Sequence, residues 1–142
     1  MTDDPPYVVR ISRLQADAGL LLSENLPQTG WEKAVLEYRK AGPVGESVLT
    51  CTYSDGRTES LEVPAALIRA MKDLRRAMAS QGKGAWLSAE LTVDSTAHMT
   101  CDFNYDRRPQ WRVPPTDDAY IDDLRQYPRP VGQVPDWYPR KA

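Results

Sequence analysis

One histidine, His98, and two cysteines, Cys51 and Cys101, are all that this 142-residue chain offers to soft-metal or nucleophile chemistry. The cysteines lack metal-ligand spacing and are too few for a disulfide framework. Each reads as a reduced, buried thiol on the apolar side of a strand. Charge of one sign is also missing. With 18 basic residues against 20 acidic ones and a net charge of -2, the chain lacks the broad basic surface of a direct nucleic-acid binder. The longest apolar run lies near Gly19-Leu20-Leu21-Leu22, far short of the roughly 20 residues that span a bilayer, so no membrane association is expected. The opening MTDDPPYVVR carries acids and prolines where a secretory segment needs positive charge followed by an apolar stretch, so a cytoplasmic location is expected. Neither a Gly-x-Ser-x-Gly elbow nor a phosphate-binding glycine loop occurs, and no cofactor is implied.

What is present is an ordinary balance, 41% hydrophobic and 27% charged, in a chain long enough to bury one core. A single domain is expected over 1–142, with its core at 1–106 and a C-terminal extension at 107–142 packed on that core. Pro5-Pro6 can open a helix, and Val8, Ile11, Leu14, Ala18, Leu21 and Leu22 recur at three- and four-residue steps until Leu26-Pro27 stops it. The period then falls to two. Ala34, Leu36 and Tyr38 share one side of a first strand, Leu49, Cys51 and Tyr53 one side of a second, and Leu61 and Val63 one side of a third. Short connections at 41–45 and at Ser54-Asp55-Gly56-Arg57, a tight-turn signature, make these an antiparallel meander.

Leu67, Ile68, Met71, Leu74 and Met78 mark a second helix after Pro64, capped at Gly82, with Arg69, Lys72, Asp73, Arg75 and Arg76 on its wet side. A second hairpin follows. Leu87, Ala89, Leu91 and Val93 line one strand, Asp94-Ser95-Thr96-Ala97 turns it, and Met99, Cys101, Phe103 and Tyr105 line the return. The predicted class is α+β, in the order α-βββ-α-ββ, with an antiparallel sheet of about five strands and helices packed on one face. Seven of the 12 prolines fall beyond Asp106. A short helix is predicted there, with Thr116 as N-cap, Asp117 and Asp118 at its positive end, and Ile121, Leu124 and Tyr127 as its apolar edge. Trp111, Tyr120, Tyr127, Trp137 and Tyr138 make this extension too aromatic for a disordered linker.

The densest stretch is CDFNYDRRPQW, 101–111. Asp102-x-Asn104-x-Asp106 begins like a calcium loop, but Arg107 and Val113 occupy the positions that need glycine and glutamate. Strand alternation instead makes Asp102, Asn104 and Asp106 a polar row, with His98 on the same face. If the strands pair, Glu90 could approach His98 and Asp102, as a small hydrolase-like enzyme would need. A pocket between sheet and extension could alternatively hold a small ligand. The acid pairs Asp117/Asp118 and Asp122/Asp123 read as solvation of an exposed helix. Trp111, Trp137 and Tyr138, among Arg107, Arg108, Arg112 and Arg140, are residue types of interaction hot spots, and equally of rings that pin an extension to a sheet.

In its order of elements the chain resembles the YezG-like antitoxin family. The resemblance rests on the Trp31-containing first strand, the second helix leading into Gly84-Ala85-Trp86-Leu87, and the hairpin closing on Asp102-Phe103-Asn104-Tyr105-Asp106. The stretch from Trp111 through PPTDDAYIDDLRQYPRPVGQVPDWYPRKA resembles the C-terminal extension of actinobacterial-type immunity proteins. The resemblance covers roughly Gly30 onward. It implies a cytosolic immunity protein, with no catalytic residues and no metal, that binds a cognate secreted polymorphic toxin and occludes its active site. That toxin would be a nuclease or an NAD glycohydrolase, the latter as for the related immunity factor of the tuberculosis necrotizing toxin. The partner surface expected on this basis comprises Asp102, Asn104, Asp106, Arg108, Trp111, Trp137 and Tyr138, its acids meeting a basic cleft and speeding association.

Overall fold

Period-two alternation in the chain becomes a five-stranded antiparallel sheet, and the computed structural model describes residues 5–139 around it. The elements are α1 (Tyr7–Glu24), β1 (Trp31–Ala41), β2 (Val44–Tyr53), β3 (Thr58–Leu61), α2 (Ala65–Ala79), β4 (Ser88–Asp94), β5 (Met99–Asn104) and α3 (Asp117–Gln126). The strand order is β3-β2-β1-β4-β5, so the meander and the second hairpin meet along β1 and β4. This is the α+β architecture predicted from the pattern.

Helices α1 and α2 cover one face of the sheet. Ala34, Leu36 and Tyr38 of β1 point into that layer with Leu49 of β2 and Ala89, Leu91 and Val93 of β4, all at most 4% exposed. Leu67, Met71 and Leu74 of α2 and Ile11, Ala18 and Leu22 of α1 meet them. Each fully buried leucine contributes roughly 1.5–3 kcal/mol. Trp86 is wholly buried, edge-on to Tyr38 at 5.9 Å and tilted against Phe103 at 5.5 Å. Val8 does not join this core and is 71% exposed. The stripe of α1 starts instead at Tyr7, from which Ile11, Leu14, Ala18 and Leu22 follow at steps of four, three, four and four. Leu87 also departs from expectation. Trp86 fills the core at that end, and the Leu87 side chain joins a second cluster with Ala41, Ala119, Tyr120 and Tyr138.

That second cluster fastens the extension to the end of the sheet. Only Gly42 and Pro43 separate β1 from β2, a tighter turn than the 41–45 loop predicted. Gly42 has φ +54°, and a Cβ there would come within 2.6 Å of the Ala119 carbonyl oxygen, so α3 packs directly on turn backbone. Thr116 holds the N-cap position of α3 without a side-chain cap bond. The buried face of α3 is Ala119, Tyr120 and Asp123 rather than Ile121, Leu124 and Tyr127, which are half-buried.

Two charged residues expected in water are inside. Arg75 and Asp123 are each 2% exposed and pair at 2.7 Å. Arg75 Nε donates to the Trp86 carbonyl at 2.7 Å and Nη2 to the Lys40 carbonyl at 3.2 Å, while Asp123 accepts the Gly42 N–H at 3.0 Å. The flank of α2 that a helical projection leaves wet is the flank on which α3 docks. Cys51 and Cys101 are free, the first buried and the second half-buried. With β1 and β4 between their strands, they stand about 14 Å apart, beyond disulfide reach. Among the described residues no helix is long and apolar enough to cross a membrane.

Candidate interaction surface

The face of the sheet turned away from α1 and α2 carries ordered rows of polar side chains. Val35 pairs with Thr50 and Thr92, and beyond them lie Ser60 and Thr100, giving one row of small and β-branched residues across all five strands. In the next row Glu37 of β1 stands opposite Glu90 of β4, and Glu90 stands opposite Asp102 of β5. Directly paired residues have Cβ atoms about 4.5–5.5 Å apart, and like charges placed so oppose folding. Glu37 has Arg39 at 3.7 Å. Glu90 and Asp102 are exposed, and neither carboxylate has a hydrogen bond or ion pair among the described residues.

One row further on, the same face becomes an anchor. Arg39, 8% exposed, binds Glu46 at 3.1 Å, and the Glu46 carboxylate accepts the N–H groups of Arg112 at 2.9 Å and Val113 at 3.1 Å. Asn104 Nδ2 donates to Ser88 Oγ at 3.0 Å. Residues 107–110 cross above this end, and a groove of about 330 Å³ lies between them and the carboxylate row.

Asp102 therefore lies on the polar face, as its strand position predicts, on the edge strand β5. Asn104 ends the strand. Its Oδ1 accepts the Arg107 N–H at 2.9 Å and the Asp106 N–H at 3.3 Å, and its Nδ2 donates to the Arg107 carbonyl at 2.8 Å. This side-chain turn lifts Asp106 out of the expected row, leaving it exposed with Arg129 at 3.6 Å. Arg108 lies over the Trp137 ring at 5.1 Å and donates to the Trp137 carbonyl at 3.3 Å. Trp137 Nε1 donates to the Asp106 carbonyl at 2.7 Å, and Trp111 Nε1 to the Tyr120 hydroxyl at 2.8 Å. The Tyr138 ring is buried against Tyr120, and its hydroxyl donates to the Tyr120 carbonyl at 3.0 Å. The aromatic residues of the extension thus meet each other and pin the extension, and Tyr138 presents no surface. Arg140 lies outside the described residues.

His98 is in the turn before β5, its N–H on Asp94 Oδ1 at 3.0 Å and its Nδ1 2.9 Å from Thr96 Oγ1. Hydrogen bonds from Thr96 and from the His98 backbone hold the Asp94 carboxyl below its ordinary range. Four strand residues, about 13 Å, separate His98 from Asp102, so Glu90, His98 and Asp102 do not converge. Among the described residues no group of three His, Cys, Asp or Glu side chains could hold a metal ion. Behind Asp102, burial and then the Asp102 charge push the Cys101 thiol up to about 12. The residues not foreseen here are Glu37, Arg39 and Glu46. Period-two alternation assigns each a face, but only the pairing register sets Glu37 beside Glu90. No family model and no curated protein matches the chain.

Proposed function

We propose that this protein is an immunity protein that docks the carboxylate row Glu37, Glu90 and Asp102 into the basic active-site cleft of a toxin domain. The observation that carries the reading is the unpaired Glu90–Asp102 juxtaposition on an open sheet face. The fold accepts a cross-strand repulsion that folding alone would discard, and a cationic partner would relieve it. Across β1, β4 and β5 the row spans about 10 Å, the scale of a cleft that grips consecutive phosphates. A nuclease fits that complementarity better than an NAD glycohydrolase does. The resemblance to the YezG-like antitoxins points the same way. Arg108, held over Trp137, stands at the rim with Arg107 beside the groove. The carboxylates attract a basic cleft at long range and so act on association rate, and binding should slow steeply with salt.

Co-expression with the toxin candidate encoded by the adjoining gene tests this. The wild-type chain should protect cells, and Glu90→Lys with Asp102→Lys should abolish protection while the protein stays folded. Full toxicity beside the wild-type chain, or undiminished protection by the charge-reversed variant, would refute it.

A further inference from the structure

On the helix-covered face of the sheet, at the β1–β2 hairpin, two hollows of about 260 Å³ each meet at Lys40 and Lys72. One opens between α2 and the β1–β2 hairpin, beside Tyr38 and Ser47. The other continues along α2 past Arg76 to Gln126 and Tyr127. Their walls are rich in donors and poor in acceptors. Neither the Lys40 nor the Lys72 ammonium has an ion pair among the described residues. The carboxylates nearby are spent, Asp123 on Arg75 and the Gly42 N–H, and Glu46 on Arg39 and the extension backbone. The Tyr38 hydroxyl is buried and has no hydrogen-bond partner among the described residues. Burial above all, then the charges of Arg75 and Lys72, lower the proton affinity of Lys40.

A half-buried lysine held beside two other cations, its one favourable charge, Asp123, already bound to Arg75, is a destabilising arrangement that an anionic ligand would reverse. We infer that the junction of these hollows binds a phosphate group carried by a small molecule, with Lys40 and Lys72 as its charge partners and Ser47 and Arg76 as further donors. Phosphate fits because its oxygens can accept several donors at once, which one carboxylate or chloride cannot match. The site is independent of the proposed toxin surface.

The test is titration of the full chain with inorganic phosphate at constant ionic strength, chloride replacing phosphate in the control, read by melting temperature and by amide NMR shifts. Phosphate should raise the melting temperature and move the Lys40, Ser47 and Lys72 amides, and chloride should do neither. Lys40→Gln and Lys72→Gln should each weaken the apparent affinity about tenfold, while Lys83→Gln leaves it unchanged. The Lys40 variant removes a like-charge contact, so it should melt no lower than wild type without phosphate, which verifies its fold. Adenosine monophosphate forms the second arm. Binding tighter than phosphate assigns the Gln126–Tyr127 hollow to the rest of a nucleotide, and equal binding assigns free phosphate as the ligand. Identical responses from wild type and the Lys40→Gln/Lys72→Gln double variant, or no response to either probe, would overturn the site.

Discussion

Replacing Asp123 by alanine should be among the most damaging single changes available in the extension. It removes the partner of a guanidinium whose side chain is 3% exposed, and it leaves the Gly42 N–H without its acceptor. Arg75 keeps its bonds to the Trp86 and Lys40 carbonyls and its rings, Trp86 and Tyr127, each 5.8 Å away. None of these supplies a negative charge. Breaking a buried pair from one side costs about 3–5 kcal/mol, because the surviving charge is stranded in a medium that solvates it poorly. A chain of this size has roughly 7–15 kcal/mol of stability in all, and the loss should lower the melting temperature by about 10–15 °C. Asp123→Asn keeps an acceptor for Gly42 and should lie between wild type and alanine. Arg75→Met with Asp123→Leu removes both charges, so its cost should fall short of the summed single variants by about 2–3 kcal/mol. Urea unfolding followed by far-UV circular dichroism measures all these proteins, with Arg75→Met and Asp123→Leu alone closing the cycle, and limited proteolysis of 107–139 reports whether the extension has been released. A loss below about 1 kcal/mol for Asp123→Ala, or strict additivity in the cycle, would refute the reasoning.

Other predictions concern the turn, the core thiol and the carboxylate row. Gly42→Ala must place a side chain at φ +54° and against the Ala119 carbonyl, and should cost about 2–4 kcal/mol in the same urea assay. The Cys101 thiol keeps its proton to about 12 in the folded protein, against an ordinary 9.0, and burial lifts the Tyr38 hydroxyl from 10.0 to about 12. Both are acids that fold neutral, so the stability they lend is whole below the unfolded values and drains away as pH climbs from 9.0 towards about 12. The urea midpoint should therefore decline steadily above that lower limit, and native Cys101 should resist alkylation until the protein unfolds; a level midpoint through the window would count against this assignment. Glu90→Thr relieves the repulsion with Asp102 and should stabilise the free protein by about 0.2–1 kcal/mol while weakening capture of a basic partner, as seen by surface plasmon resonance.

Elements set by short-range periodicity were legible in the chain. The alternations Ala34-Leu36-Tyr38 and Leu49-Cys51-Tyr53 mark one buried face without knowledge of any partner strand, and Asp55-Gly56 fixes where the meander turns. What escaped depends on contacts distant in sequence. Arg75 follows Leu74 directly and reads as solvated until α3, 48 positions on, delivers Asp123. The row Glu37–Glu90–Asp102 joins residues from three strands, and no local pattern reveals that register. The even spacing of Asp106 from Asp102 predicts a place in the same strand row. The Asn104 side chain, bonding the backbone ahead of it, ends the strand first. Aromatic composition left two uses of the extension open, and its geometry settles Tyr138 as an internal pin.

The pinning has a consequence for where a partner can bind. Trp111, Trp137 and Tyr138 spend their polar atoms on Tyr120 and Asp106, so the extension contributes rigidity at one end of the open sheet face. Ordering that end beforehand removes an entropic cost from association, roughly 0.5–1.5 kcal/mol for each large side chain already fixed. The free carboxylates stand beside this fixed rim, on strands whose backbones are already paired, and they too need little rearrangement on docking. Fast capture requires long-range attraction and a surface that is ready at encounter. Trp137→Ala loosens the rim by taking the ring from Arg108 and the donor from the Asp106 carbonyl, but leaves the Arg75–Asp123 pair in place. It should therefore slow association and hasten dissociation even though the carboxylates remain, whereas Glu90→Thr should act chiefly on the association rate. Stopped-flow measurement of both variants separates the contributions, and an unaltered dissociation rate for Trp137→Ala would show that the rim has no part in binding.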